Sequence, residues 1–253
     1  MLARPLSVIL AAALLAAPLC AQQQPPTAEQ LAERHRAEDE RLRTDWAGLG
    51  RYRAANAALP AAAEGRVVFM GNSITDAWAR WFPAMFPGKP YVGRGISGQT
   101  TPQMLVRFRQ DVVALRPAVV VLLAGTNDIA GNTGPSTLEM IEDNIASMAE
   151  IARANGIRVV LSSVLPAYDY PWRPGLEPAP KIVAVNAWLR AYAAAHGHVY
   201  LDFHGAMADA RGGMRPGLAS DGVHPTEAGY RVMAPLAERA IAEALRGPGA
   251  PPR

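Results

Sequence analysis

The sequence predicts an α/β domain with a central parallel sheet of about five strands, covered by helices on both faces. Three observations predict it. Short apolar runs of strand length alternate with longer stretches of helical periodicity, the pattern that places crossover helices between parallel strands. The strand-like runs are apolar at consecutive positions, as in strands buried on both faces. Half of the 253 residues are apolar, enough to build one sizeable core in a chain of single-domain length.

Residues 1–21 carry Arg4, an apolar stretch from Leu6 to Leu19, and Leu19-Cys20-Ala21 before a glutamine run. These are the three zones of a secretory signal, so a secreted or periplasmic protein is expected. The stretch falls short of the roughly 20 apolar residues that span a bilayer and is interrupted by Pro18, which argues against a permanent membrane anchor. Cys20 raises lipoprotein-type attachment as a lesser alternative, with the bulky Leu19 against it. Cleavage after Ala21 removes the single cysteine, leaving neither a disulfide nor a thiol nucleophile.

Residues 22–60 read as a linker followed by a charged accessory helix from Thr27 to about Trp46, with His35 on a solvated face. The catalytic domain is expected over 61–247, with a flexible tail at 248–253. Within it, the strand candidates are Arg66–Met70, Tyr91–Val92, Ala118–Ala124, Ile157–Ser162 and Val199–Asp202. The clearest helices are Ser136–Ala154, Lys181–Ala195 and Thr226–Leu245, with shorter ones after Ser73 and Thr101. The stretch 166–180, rich in Pro and aromatics, reads as a long insertion and a candidate pocket wall or lid. A formal charge of +3 without clustered Lys and Arg gives no footprint for nucleic acid.

In such sheets ligands collect beyond the carboxyl ends of the strands, and the chemistry-bearing residues fall there. Gly71-Asn72-Ser73-Ile74-Thr75 puts a serine where the first strand turns into a helix. Free N–H groups and the helix dipole favour negative charge at that point, which suits a nucleophile. The competing reading is a helix cap, and the Ser73/Asp76 spacing fits one. Asp221-Gly222-Val223-His224-Pro225 brings a carboxylate and an imidazole three residues apart before the last helix. Asp221 would fix the tautomer of His224, leaving the other ring nitrogen for the serine proton. Pro225 suits the first helical position. Here too a structural alternative stands: His224 capping the helix and Asp221 closing a turn. His204 is the second candidate base.

Gly125-Thr126-Asn127-Asp128 offers Asn127 as an oxyanion donor or as a turn former, and Asp128 as a structural residue. Arg94-Gly95-Ile96-Ser97-Gly98 offers Gly95 as a backbone donor or simply as a turn signal.

Taken in order and at these spacings, GNSIT, RGISGQT, GTND and DGVHP resemble the SGNH hydrolase superfamily, the GDSL-like lipases and acylhydrolases, over Arg66 to about Leu245. The resemblance implies a flavodoxin-like three-layer α/β/α domain without a catalytic metal or other cofactor. It makes Ser73 the nucleophile, His224 the base, Asp221 its orienter, and Ser73, Gly95 and Asn127 the oxyanion hole. Asn72 and Ile74 depart from the motif that gives the family its label, and the motifs look more like the acetylhydrolase and carbohydrate O-acetylesterase branch than like lipases. The expected activity is therefore hydrolysis of short acyl esters, of small molecules or glycans, through an acyl-enzyme; the main alternative is a lysophospholipase- or thioesterase-like acylhydrolase. Two other classes compete. One is metal-dependent phosphoester hydrolysis, for which no HExxH or comparable ligand pair is present. The other is a non-catalytic glycan-binding protein using Trp78, Trp81, Tyr168, Tyr170 and Trp172 as stacking surfaces.

Overall fold

Alternation of side chains along the strands decides the layering. In the computed structural model, which describes residues 27–60 and 64–247, five strands form one sheet: β1 (Val67–Gly71), β2 (Tyr91–Gly95), β3 (Val119–Leu123), β4 (Arg158–Ser162) and β5 (Val199–Leu201). All neighbours are parallel, in the order β2-β1-β3-β4-β5. This is the flavodoxin-like arrangement, whose direction of winding reverses between β1 and β3 and opens a crevice at their carboxyl ends.

The helices are, in chain order, α1 (Ala28–Thr44), α2 (Arg53–Ala57), α3 (Ser73–Ala79), α4 (Phe82–Met85), α5 (Thr101–Asp111), α6 (Thr126–Ile129), α7 (Leu138–Ala154), α8 (Pro178–His196), α9 (Phe203–Met207) and α10 (Glu227–Arg246). Because successive strand residues point to opposite faces, Val68, Met70, Val120, Leu122, Val159 and Leu161 share a core with α5, α7 and α8. Their neighbours Val67, Phe69, Val119, Val121 and Val160 share the other with α3, α9 and α10. Residues 1–26, on which the signal and Cys20 expectations fall, and the tail lie outside the described residues. α1 forms close to its expected span and exposes His35.

Most boundaries shift by one to three residues. β2 differs more, running on through Gly93, Arg94 and Gly95 where the sequence reads as loop. A Cβ on Gly93 would stand 2.5 Å from the Ala79 Cβ, and one on Gly95 would stand 2.1 Å from the Asp76 nitrogen. These glycines do not end the strand; they let α3 lie directly on it. The last helix begins after Thr226, whose side chain accepts from the Gly229 N–H, so Pro225 precedes the cap instead of opening the helix.

Beneath the crevice lies a charge pair with no solvent contact. Arg107 and Asp111, one turn apart on α5, are fully buried, with Nη1 3.0 Å from Oδ2. The other guanidinium donors reach the carbonyls of Gly71 (2.9 Å) and Arg94 (3.0 Å) and Oε1 of Gln99 (2.6 Å). Burial lowers the Arg107 pKa, against which the Asp111 carboxylate works to hold the charge. Asp111 also accepts from Asn56 Nδ2 at 2.8 Å. Removing one partner of such a pair strands a buried charge. Asp111→Ala is therefore expected to cost about 3–5 kcal/mol of unfolding free energy, read from the urea midpoint; a cost below about 1 kcal/mol would show the pair to be incidental.

Candidate active site

β1 ends at Gly71 for a steric reason: a Cβ there would meet Thr75 Oγ1 at 2.2 Å and the Leu123 carbonyl at 2.9 Å. The chain then turns straight into α3, and Asn72 is the residue that caps it, accepting from the Ile74 N–H at 3.1 Å. Ser73 thus stands at the first helical position, where its N–H has no intrahelical acceptor. The cap that competed for its hydroxyl is supplied by its neighbour. Ser73 Oγ lies 2.9 Å from Nε2 of His224.

His224 sits in a tight loop at residues 218–226. Thr226 N–H donates to the Leu218 carbonyl, Ser220 N–H donates to the His224 carbonyl, and Gly222 takes φ +83 at the tip, a left-handed conformation suited to glycine. One oxygen of Asp221 accepts the N–H groups of Val223 (3.0 Å) and His224 (2.8 Å), and the other faces His224 Nδ1 at 2.7 Å. One carboxylate thus sets both the turn and the ring. With the proton on Nδ1 toward the carboxylate, Nε2 presents its lone pair to Ser73. Burial acts to raise the Asp221 pKa, but the hydrogen bonds from the His224 backbone, the His224 ring and the Val223 N–H outweigh it and the net value is lowered. The stability this adds is complete above the ordinary carboxylate range and fades as pH falls through the lowered value.

α10, which follows this loop, is tied to α3, which carries Ser73. Tyr230 donates from its hydroxyl to the Ile74 carbonyl at 2.9 Å and stacks on Trp78, centroids 5.6 Å apart. The two halves of the site share this brace.

Asn127, in the first turn of α6, is 3% exposed and donates one Nδ2 hydrogen to the Gln99 carbonyl at 2.9 Å, leaving the second. Asp128 is structural: its carboxylate accepts the N–H and hydroxyl of Thr101 at the start of α5. Burial raises its pKa, only partly offset by those bonds.

Gly95 is placed for packing. Its carbonyl accepts from the Tyr52 hydroxyl, while Gly71, its partner in register, takes the N–H of Ile96. In a strand the N–H and C=O of one residue point the same way, so the Gly95 N–H faces the Tyr52 side, away from β1. Gly98, three residues on, has φ +80, open space where a Cβ would be, and an N–H with no acceptor among the described residues. The signal that could have separated the two glycines is the strand itself, which extends to the first and leaves the second in the loop.

His204 does not bond Ser73; it lies in the first turn of α9, where its N–H bonds Ser163 Oγ, and it lines a cleft with Arg190, Tyr200 and Asp202. Of the aromatics considered as stacking surfaces, Trp78 and Tyr170 are buried and Trp81 is half-buried, whereas Tyr168 and Trp172 are exposed. The insertion is ordered from within: Asp169 accepts from the N–H groups of Tyr170 and Gly175, and the Tyr170 hydroxyl meets Thr126 Oγ1 at 3.0 Å, beside Asn127. With the loop at 209–214 it walls a cavity of about 360 Å³ bordered by Asp221 and Gly222.

The sequence profile of the GDSL-like lipase/acylhydrolase family matches residues 69–232. Esterase TesA of Pseudomonas aeruginosa is 26% identical over 160 residues, covering 62% of this chain and 73% of that protein. The crystal structure of a GDSL-like lipase from Bacteroides thetaiotaomicron is 47% identical, with a TM-score of 0.76, over 79% of this chain and all of that one. A variant of a Geobacillus acetyl-xylooligosaccharide esterase shares the fold at 20% identity and a TM-score of 0.58, over 71% of this chain and 95% of that one.

The two glycines separate by experiment. Gly95→Ala drives a Cβ into the backbone of Asp76 and is expected to cost about 1–3 kcal/mol or more. Gly98→Ala meets no atom and pays only for its left-handed backbone, about 1–2 kcal/mol. Thermal unfolding of both variants should give the lower Tm to Gly95→Ala; the reverse order would show that close packing is not what keeps glycine at position 95.

Proposed function

Since the chain belongs to the GDSL-like lipase/acylhydrolase family, the SGNH hydrolases, we propose that it is an exported serine esterase that cleaves short-chain, chiefly acetyl, esters, carbohydrate acetates among them. The observation that carries the reading is the unbroken line from Ser73 Oγ to His224 Nε2 (2.9 Å) and from His224 Nδ1 to Asp221 (2.7 Å) at the crevice where ligands of such sheets bind.

In the proposed mechanism His224 takes the Ser73 proton as Oγ attacks the ester carbonyl. The developing oxyanion is held by the Ser73 N–H, by the free hydrogen of Asn127 Nδ2 and, in place of Gly95, by the Gly98 N–H. Asp221 stabilises the imidazolium without taking its proton. His224 returns that proton to the leaving alcohol, then activates water to release the acid and free Ser73. A neutral imidazole is required at the start, so activity falls in acid. Support for short acyl groups comes from the departures at Asn72 and Ile74 and from the fold relative that is an acetyl-xylooligosaccharide esterase. Export rests on the amino-terminal pattern alone; among the described residues no helix is long and apolar enough to cross a membrane.

Hydrolysis of p-nitrophenyl acetate, butyrate and octanoate tests the reading. Ser73→Ala is expected to lower kcat by at least about 10⁴-fold and Asn127→Ala by about 100- to 1000-fold, with acetate the best substrate and chelator without effect. Turnover that survives Ser73→Ala and disappears with chelator would transfer the reaction to a metal.

A further inference from the structure

The insertion contributes one side chain to the immediate surroundings of the base. Trp172 stands with its ring centroid 6.0 Å from that of His224. It is anchored on two sides: it stacks on the buried Tyr170, centroids 5.0 Å apart, and its Nε1 donates to Asn132 Oδ1 at 3.1 Å. Asn132 in turn donates to the Gly98 carbonyl at 3.3 Å. Despite these anchors the indole is 39% exposed. A large apolar ring held open to solvent beside a reactive group loses little conformational freedom on binding, which is what a stacking platform needs.

Which part of an ester would meet it follows from the proton path. When the tetrahedral intermediate collapses, the bond between the acyl carbon and the ester oxygen breaks, its electron pair stays on that oxygen, and His224 Nε2 supplies the proton. A wall against His224 therefore flanks the alcohol and not the acyl group. Polar groups adjoin Trp172: the Asn132 amide oxygen takes its Nε1–H, and Arg173, next in the chain, brings its guanidinium beside Gly131. The same insertion continues, through Pro171 and Pro174, into the cavity that Asp221 borders. An apolar platform with a polar rim and room beyond it matches a hydroxylated ring better than an alkyl chain.

Resting on the esterase reading above, we propose that Trp172 is a specificity-determining residue, the platform on which the ring of a sugar leaving group stacks while His224 protonates its oxygen.

The test compares kcat/KM for glucose pentaacetate, which offers a ring, with that for ethyl acetate, which does not, in the wild-type chain and in Trp172→Ala and Trp172→Tyr. The ratio of the two is expected to fall about 10-fold in Trp172→Ala, mainly through KM for the sugar ester, and to recover largely in Trp172→Tyr. An equal loss on both substrates would reduce Trp172 to a support for His224, and an unmoved ratio would remove it from recognition; either overturns the proposal. A wild-type chain that cleaves ethyl acetate but not the sugar ester also overturns it while leaving the esterase reading intact. Inertness toward both would defeat the esterase reading and the platform with it.

Discussion

The crevice depends on the burial of a single guanidinium. Arg107 gathers the carbonyl ends of β1 and β2 and the side chain of Gln99, and Asp111 balances its charge without water. A buried guanidinium is costly unless its donors are met, and here the Gly71 and Arg94 carbonyls and the Gln99 side chain meet them. Arg107 in turn places Gln99, whose own carbonyl receives Asn127 Nδ2. Through Gln99, the buried guanidinium thus helps to fix the orientation of the Asn127 amide.

A second constraint is local. α3 lies so close to β2 that the strand has glycine at the two points of contact, Gly93 and Gly95. The start of α3, with the Ser73 hydroxyl, is pressed into the crevice by that contact on one side and held by Tyr230 on the other. The insertion completes the rim, ordered by Asp169 bonding its own loop and anchored outward by Tyr170 on Thr126 and Trp172 on Asn132.

The layered sheet was legible because buried parallel strands require continuous apolar runs, and those runs survive in Val67–Met70 and Val119–Leu123 almost residue for residue. β2 was not, since glycine signals a turn when its neighbours in space are unknown, and here those neighbours are Ala79 and Asp76. Ser73, Asp221 and His224 could be singled out because each follows a strand or precedes a helix, positions that local pattern reveals. Arg107 could not be: an arginine on an amphipathic helix reads as solvated, and only packing discloses that it is buried. The placing of Gly95 likewise turned on the direction of its N–H, which no spacing encodes. Asn72 escaped as the cap because the sequence offered Ser73 and Asn72 side by side, and only φ and ψ distinguish them.

The Asp221–His224 loop has a consequence for motion. Carboxylate and imidazole belong to one turn closed by its own backbone bonds, so they travel as a unit when the loop shifts against the sheet. The contact between His224 and Ser73 spans 151 positions in sequence and joins the loop before α10 to the start of α3. The Asp221–His224 hydrogen bond is closed inside one turn, whereas the Ser73 contact depends on how α10 packs on α3. A shift of α10 against α3 would therefore act on the Ser73 contact before it acted on the Asp221–His224 bond, and the Tyr230 hydroxyl on the Ile74 carbonyl is the tie that opposes such a shift.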